Sequence, residues 1–189
     1  MMTYFTPEKI DRLEDNEIFV FGSNANGNHY GGAARVAFDK FGAEWGVGEG
    51  LTGNTYAIPT LDKNMEKVTK LKLVRSFIKF IEFAKENDSK KFYLTKVGCG
   101  IAGWTIEEVK EILWAAVKAC FPECKLPSNI IIPEEFCFSN PELYKLELER
   151  EILIKRARMA VTDEEREMIH NQLLDNESSI NILKGDLTE

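Results

Sequence analysis

The chain has 189 residues, of which 44% are hydrophobic, 29% charged and 11% aromatic, and its formal net charge is -7. That length suits one domain, or a domain with an appendage, and a core of this size needs no staples. No run approaches the roughly 18 consecutive apolar residues of a membrane span, the first residues lack the order of a signal peptide, and the acidic balance disfavours a nonspecific grip on nucleic acid; the expected location is cytoplasmic.

Taken in chain order, four short apolar runs read as strands: Glu17–Phe21, Thr55–Pro59, Lys91–Val97 and Asn129–Pro133. Each is nearly continuous in apolar or β-branched residues, as strands covered on both faces are. Helical patterns separate them. Ala34, Phe38 and Phe41 share one side of a helix from about Gly32 to Phe41. Leu71, Val74, Ile78 and Ile81 keep the three-four spacing of an amphipathic helix, as do Ile106, Val109, Leu113 and Ala116. Strands alternating with helices predict an α/β fold with a mostly parallel central sheet.

Beyond Pro133 the pattern changes. A polar helical run from Glu142 to about Ala160 is followed by Thr162-Asp-Glu-Glu165, a capping box that opens a second helix. Leu143, Leu146, Leu153 and Ala160 form one stripe; Ile169, Leu173, Asn176, Ile180 and Leu183 form the other. The expectation is a C-terminal helical hairpin over 139–189, appended to an α/β domain over 1–138. It carries 7 Lys/Arg against 12 Asp/Glu, most of the chain's acidity. Its narrow stripes allow docking on the domain, on a partner or on a second copy, as a homodimer.

The four cysteines, Cys99, Cys120, Cys124 and Cys137, are expected to be free thiols, and with only His29 and His170 beside them no zinc spacing exists. Neither a metal nor a cofactor is called for. Lys63, Lys67, Lys70, Lys72 and Arg75 read as a solvated helix surface rather than a specific nucleic-acid site.

Glycine concentrates the functional signal. Of 13 glycines, nine lie from Gly22 to Gly53 and three from Gly98 to Gly103. The first segment runs from the first strand through Gly22, Ser23, Asn24, Asn26, Gly27 and His29 to Gly31 and Gly32, where a helix begins. A helix N-terminus beyond the carboxyl end of a strand suits a phosphate, and asparagine amides suit ribose hydroxyls. Neither a P-loop nor the dinucleotide glycine fingerprint is present.

The second segment also leaves a strand and enters a helix: Gly98, Cys99, Gly100, Ile101, Ala102, Gly103 and Trp104, then the capping box Thr105–Glu108. Its glycines let backbone N–H groups turn inward as an anion nest. Trp104 covers a sugar or base, or belongs to the core; Cys99 fits better as a small packing side chain than as a nucleophile. Between the segments, Glu49 is flanked by glycines and either reaches a ligand or stands solvated in a hairpin loop.

The stretches Phe19–Asn24, Gly46–Leu51, Tyr56–Thr60 and Gly98–Trp104 together resemble the macrodomains, in particular macrodomain-like proteins of bacteria and phages, over roughly Ile18 to Phe136. The resemblance implies a three-layer α-β-α fold that binds ADP-ribose or a related NAD-derived nucleotide. Asn24–Gly32 would hold the distal ribose and one phosphate, and Gly98–Trp104 would wrap the diphosphate. The glycine run is shorter than in many macrodomains, the adenine-holding acidic residue is not recognisable, and the glutamate pair of poly-ADP-ribose glycohydrolases is missing. If the pocket also hydrolyses an ADP-ribosyl linkage, Asn26, His29 and Glu49 are the candidate catalytic residues. The alternative is a non-enzymatic interaction module built on the acidic hairpin.

Overall fold

The computed structural model describes residues 4–122, 124–137 and 141–186. It divides into two compact units, Met1–Phe138 and Ser139–Glu189. The first is α/β, with strands β1 (Glu17–Asn24), β2 (Gly50–Thr52), β3 (Thr55–Leu61), β4 (Lys91–Leu94) and β5 (Ile130–Ile131) in the order β2-β3-β1-β4-β5. All neighbours pair in parallel except β2 and β3. The antiparallel β2 was not anticipated: its three residues, beside glycines on both sides, carry too little apolar signal to read as a strand.

Strand alternation sorts the side chains onto two faces. Phe19, Phe21 and Ala57 pack with Ala34, Ala37 and Phe41 of α1 (Gly32–Phe41), and Ile10 and Leu13 of the N-terminal segment close the edge of that cluster. Phe38, expected on the buried side, is 39% exposed; Ala37 takes its place, and the Phe38 ring rests beside Trp45 at 5.8 Å. On the opposite face Tyr56 and Phe92 meet Phe80 of α2 (Lys70–Glu86), with ring centroids 5.1 and 5.7 Å apart. Burial of each such ring contributes roughly 2 kcal/mol or more. That aromatic packing turns α2 so that Leu73, Phe77, Phe80, Ile81 and Ala84 face inward, leaving Leu71 exposed. α3 (Ile106–Cys120) buries Val109, Leu113 and Ala116 as its spacing predicts, and packs alongside α2.

The second unit is a hairpin of α4 (Pro141–Met159) and α5 (Asp163–Asp186). Leu143, Leu148, Leu153, Ile169 and Ile180 are buried, as is Asn176, whose amide donates to Leu146 O at 3.1 Å. The capping box at Thr162 is formed, with Glu165 N donating to Thr162 Oγ1 at 3.1 Å. Among the described residues no helix is long and apolar enough to cross a membrane.

Candidate functional site

The two glycine segments meet at the carboxyl ends of β1 and β4, where ligands collect in parallel sheets. Their approach is closer than a side chain allows. A Cβ on Gly22 would lie 2.9 Å from Gly98 N, and one on Gly98, at φ +77, would lie 2.7 Å from Trp104 Cδ1. Ile101 reaches back across the gap, its Cδ1 3.3 Å from where a Gly31 Cβ would stand. The result is a cleft of about 240 Å³ between the loops. Beside it lies a second cleft of about 880 Å³, walled by the N-terminal segment, α1 and the turn after β5.

The first loop is braced from within. Asn24, buried, donates from Nδ2 to Asn28 O at 2.6 Å and accepts at Oδ1 from the N–H groups of Asn26 and Asn28, each at 3.1 Å. Ser23 Oγ donates to Gly48 O, and Thr60 Oγ1 donates to Ser23 O at 3.0 Å. Beyond this frame Gly31 stands at the N-cap of α1 with no side-chain cap, whereas Thr69 caps α2 and the Thr105–Glu108 box caps α3. The exposed N–H groups and positive dipole end of α1 face the smaller cleft through Gly31, Gly32, Ala33 and Ala34.

The second loop is closed by its own backbone, Gly103 N donating to Gly100 O and Trp104 N to Gly98 O, each at 3.0 Å, and is clasped from outside. Lys67 Nζ donates to Gly103 O at 3.1 Å and to Glu108 Oε2 at 3.0 Å, and lies 4.0 Å from the centre of the Trp104 ring. The Thr105 N–H and Lys67 together hold the Glu108 carboxyl below the usual carboxylate range. Trp104 is buried, with no hydrogen-bond partner at Nε1, and contributes to the wall of the larger cleft. Burial pushes the Cys99 thiol up to about 11, outweighing the nearby Lys96 charge, so the thiol is protonated at neutral pH. Cys99, Cys120 and Cys124 are free thiols.

Of the expected ligand-binding residues, Gly22, Ser23, Asn24, Gly31 and Gly32 line the smaller cleft from one side. Gly98, Gly100, Ile101 and Ala102 line it from the other. Cys99 and Trp104 face the larger cleft, which Gly100 also lines, and Gly27 and Gly103 line neither.

The three expected catalytic side chains are not brought together. Asn26 Nδ2 donates to Lys63 O at 2.8 Å. His29 is fully buried against Phe21, Trp45 and Phe38, with Nε2 3.0 Å from Glu44 O. Glu49 turns to α2, accepting from Ser76 Oγ at 3.0 Å and Lys79 Nζ at 2.8 Å. None of the three lines either cleft. In each case a closer polar or aromatic partner claims the side chain, which spacing along the chain does not register.

Sequence reading missed Thr60, Thr95, Lys96 and the segment from Phe5 to Asp11, all of which line the clefts. Thr95 and Lys96 fall within the strand-like run Lys91–Val97, but β4 ends at Leu94. Thr95 N still donates to Val20 O at 3.0 Å, and Val97 N then turns back to Thr95 O at 2.7 Å. Thr6 is pinned to β5, its N–H donating to Ile132 O and its Oγ1 to Ile131 O, both at 2.8 Å. Among the described residues no group of three or more His, Cys, Asp or Glu is placed to hold a metal ion. Comparison with protein-family models, with curated proteins and with solved structures finds no match to this chain.

Proposed function

We propose that the α/β unit belongs to the macrodomain-like proteins and binds ADP-ribose or a related NAD-derived nucleotide, with its diphosphate in the smaller cleft and a nucleoside in the larger. The observation that carries this reading is the uncapped N-terminus of α1 opposite the second glycine loop. Two sets of backbone N–H groups on facing walls suit an anion with several oxygens. The larger cleft adjoins it and has apolar walls from Phe5, Ile10, Phe19, Val36 and Ile106, which suit a base and sugar. Binding is placed ahead of hydrolysis, because Asn26, His29 and Glu49 are engaged elsewhere.

Calorimetric titration tests it. ADP-ribose is expected to bind saturably and much more tightly than AMP or ribose 5-phosphate, each of which fills part of the site. Absence of heat with ADP-ribose, AMP and NAD alike defeats the reading.

A second reading concerns the hairpin, on which Met159, Val161, Met168, Leu174 and Ile182 are exposed. A second copy of the chain is the proposed partner for these side chains. Sedimentation equilibrium is expected to give the dimer mass for the intact chain and the monomer mass for Leu174→Glu with Ile182→Glu.

A further inference from the structure

The two clefts share one stretch of wall: Ala33, Thr95, Lys96 and Gly100 line both. A nucleotide that fills the two clefts must cross these four residues, and the part of it that crosses is the linkage between its halves. We infer that Lys96, with Thr95 beside it, binds the anionic diphosphate at this junction, and that Glu8 and Glu135 hold the ammonium in place and compete for it. This inference rests on the nucleotide reading above and adds to it a charge-selective contact.

Three observations support the assignment. Lys96 is the one charged residue among those described that line the smaller cleft, whose other donors are neutral. Its Nζ lies 2.7 Å from Glu135 Oε1 and 3.5 Å from Glu8 Oε1. Thr95 Oγ1, next to it, is buried without a hydrogen-bond partner, a state that a ligand oxygen would relieve.

The electrostatics give the contact a sign in both directions. Without ligand, one ammonium faces two carboxylates, so the junction carries an excess negative charge that repels a phosphate. Glu8 is the weaker holder, farther from Nζ and 88% exposed, and giving it up for water costs little. Glu135, nearer and half-exposed, keeps the ammonium at the junction while it turns to a phosphate oxygen. Removing the lysine therefore weakens an anionic ligand, and removing the Glu8 charge strengthens it.

The test is titration of ADP-ribose into the full chain and into Lys96→Gln, Lys96→Arg, Thr95→Val and Glu8→Gln. Lys96→Gln is expected to weaken binding about tenfold or more, as loss of a charge-assisted contact does. Lys96→Arg is expected to restore affinity to within about threefold, Thr95→Val to weaken it severalfold, and Glu8→Gln to tighten it. Added salt should narrow the gap between the full chain and Lys96→Gln. If the full chain binds ADP-ribose and Lys96→Gln binds it equally well, the inference is overturned while the nucleotide reading stands. Equal weakening by Lys96→Arg and Lys96→Gln also overturns it, because a merely structural lysine would give that result. If the full chain binds no nucleotide, the reading and the inference fall together.

Discussion

Between Asn24 and Gly32 the loop is braced by side-chain amides, whereas between Gly98 and Trp104 it is braced by its own backbone, Gly103 N donating to Gly100 O and Trp104 N to Gly98 O, and clasped by Lys67. Single glycines within the loops differ as well. A Cβ on Gly27, at φ +67, would fall 2.3 Å from both Gly46 C and Val47 N, but around Gly100 and Gly103 there is nothing within 4 Å. Gly27 is needed for close backbone packing, as Gly98 is against Trp104, while Gly100 faces empty space. Both loops present glycines to the smaller cleft, Gly31 and Gly32 from the first and Gly98 and Gly100 from the second. The first also contributes a helix N-terminus.

The sharpest way to break the comparison is to place a methyl group in each loop. Gly27→Ala combines a left-handed conformation, costing about 1–2 kcal/mol, with overpacking against backbone, costing about 1–3 kcal/mol. A loss of about 3 kcal/mol is expected, which lowers the thermal midpoint of the α/β unit by about 10 °C. Gly100→Ala is expected to leave that midpoint nearly unchanged while weakening ADP-ribose binding. Calorimetric scans of the two variants check this, and equal losses of stability would remove the distinction between the loops.

Next in size is Asn24→Ala. It removes one buried donor to Asn28 O and the acceptor for two backbone N–H groups. Buried groups left unpaired cost about 1–3 kcal/mol each, partly recovered by water at an exposed loop edge. A loss of about 2 kcal/mol in urea unfolding is expected, with weaker ligand binding as a consequence of a loosened loop. The counterpart in the second loop is Lys67→Met. Its clasp is solvent-exposed, so stability is expected to fall only slightly, but Gly103 and Trp104 lose their anchor and ADP-ribose affinity is expected to fall severalfold. A larger stability loss from Lys67→Met than from Asn24→Ala would reverse the comparison.

What the sequence disclosed divides along related lines. The α/β class, the mostly parallel direction of the main strands, the three intervening helices and the hairpin were all legible, because apolar periodicity carries that information. Both glycine loops were placed at strand ends for the same reason. The rotation of α2 that turns Phe77 and Phe80 inward instead of Leu71 was not legible, since α2 carries apolar residues on more than one side and only the partners Tyr56 and Phe92 decide between them. The candidate site was legible as backbone and illegible as side chains. Asn26, His29 and Glu49 sit in the right loops but find partners 15 to 37 residues away in the chain. Thr95 and Lys96 escaped notice because a strand-like run continues through them, and only the break after Leu94 turns them to the clefts.

The smallest expected effect concerns the one cysteine in the second loop. Cys99 is half-buried, and burial raises its thiol from an ordinary 9 to about 11, with Glu107, Glu108 and Glu135 adding to the rise and Lys96 opposing it. A group whose folded-state value is raised favours folding in its protonated form. Its contribution is therefore fully present below about 9, where the thiol is neutral in both states, and is lost as pH climbs through about 11, where the folded chain must accept a buried thiolate. At neutral pH Cys99→Ala is expected to change neither the thermal midpoint nor ADP-ribose affinity by much, because the thiol acts only by filling space. In alkaline solution the same variant is expected to outlast the parent, and alkylation of Cys99 in the parent is expected to stay slow until the pH nears its raised value. Rapid alkylation at neutral pH would mean a thiolate in the loop, and the second glycine segment would then hold a reactive side chain as well as open backbone.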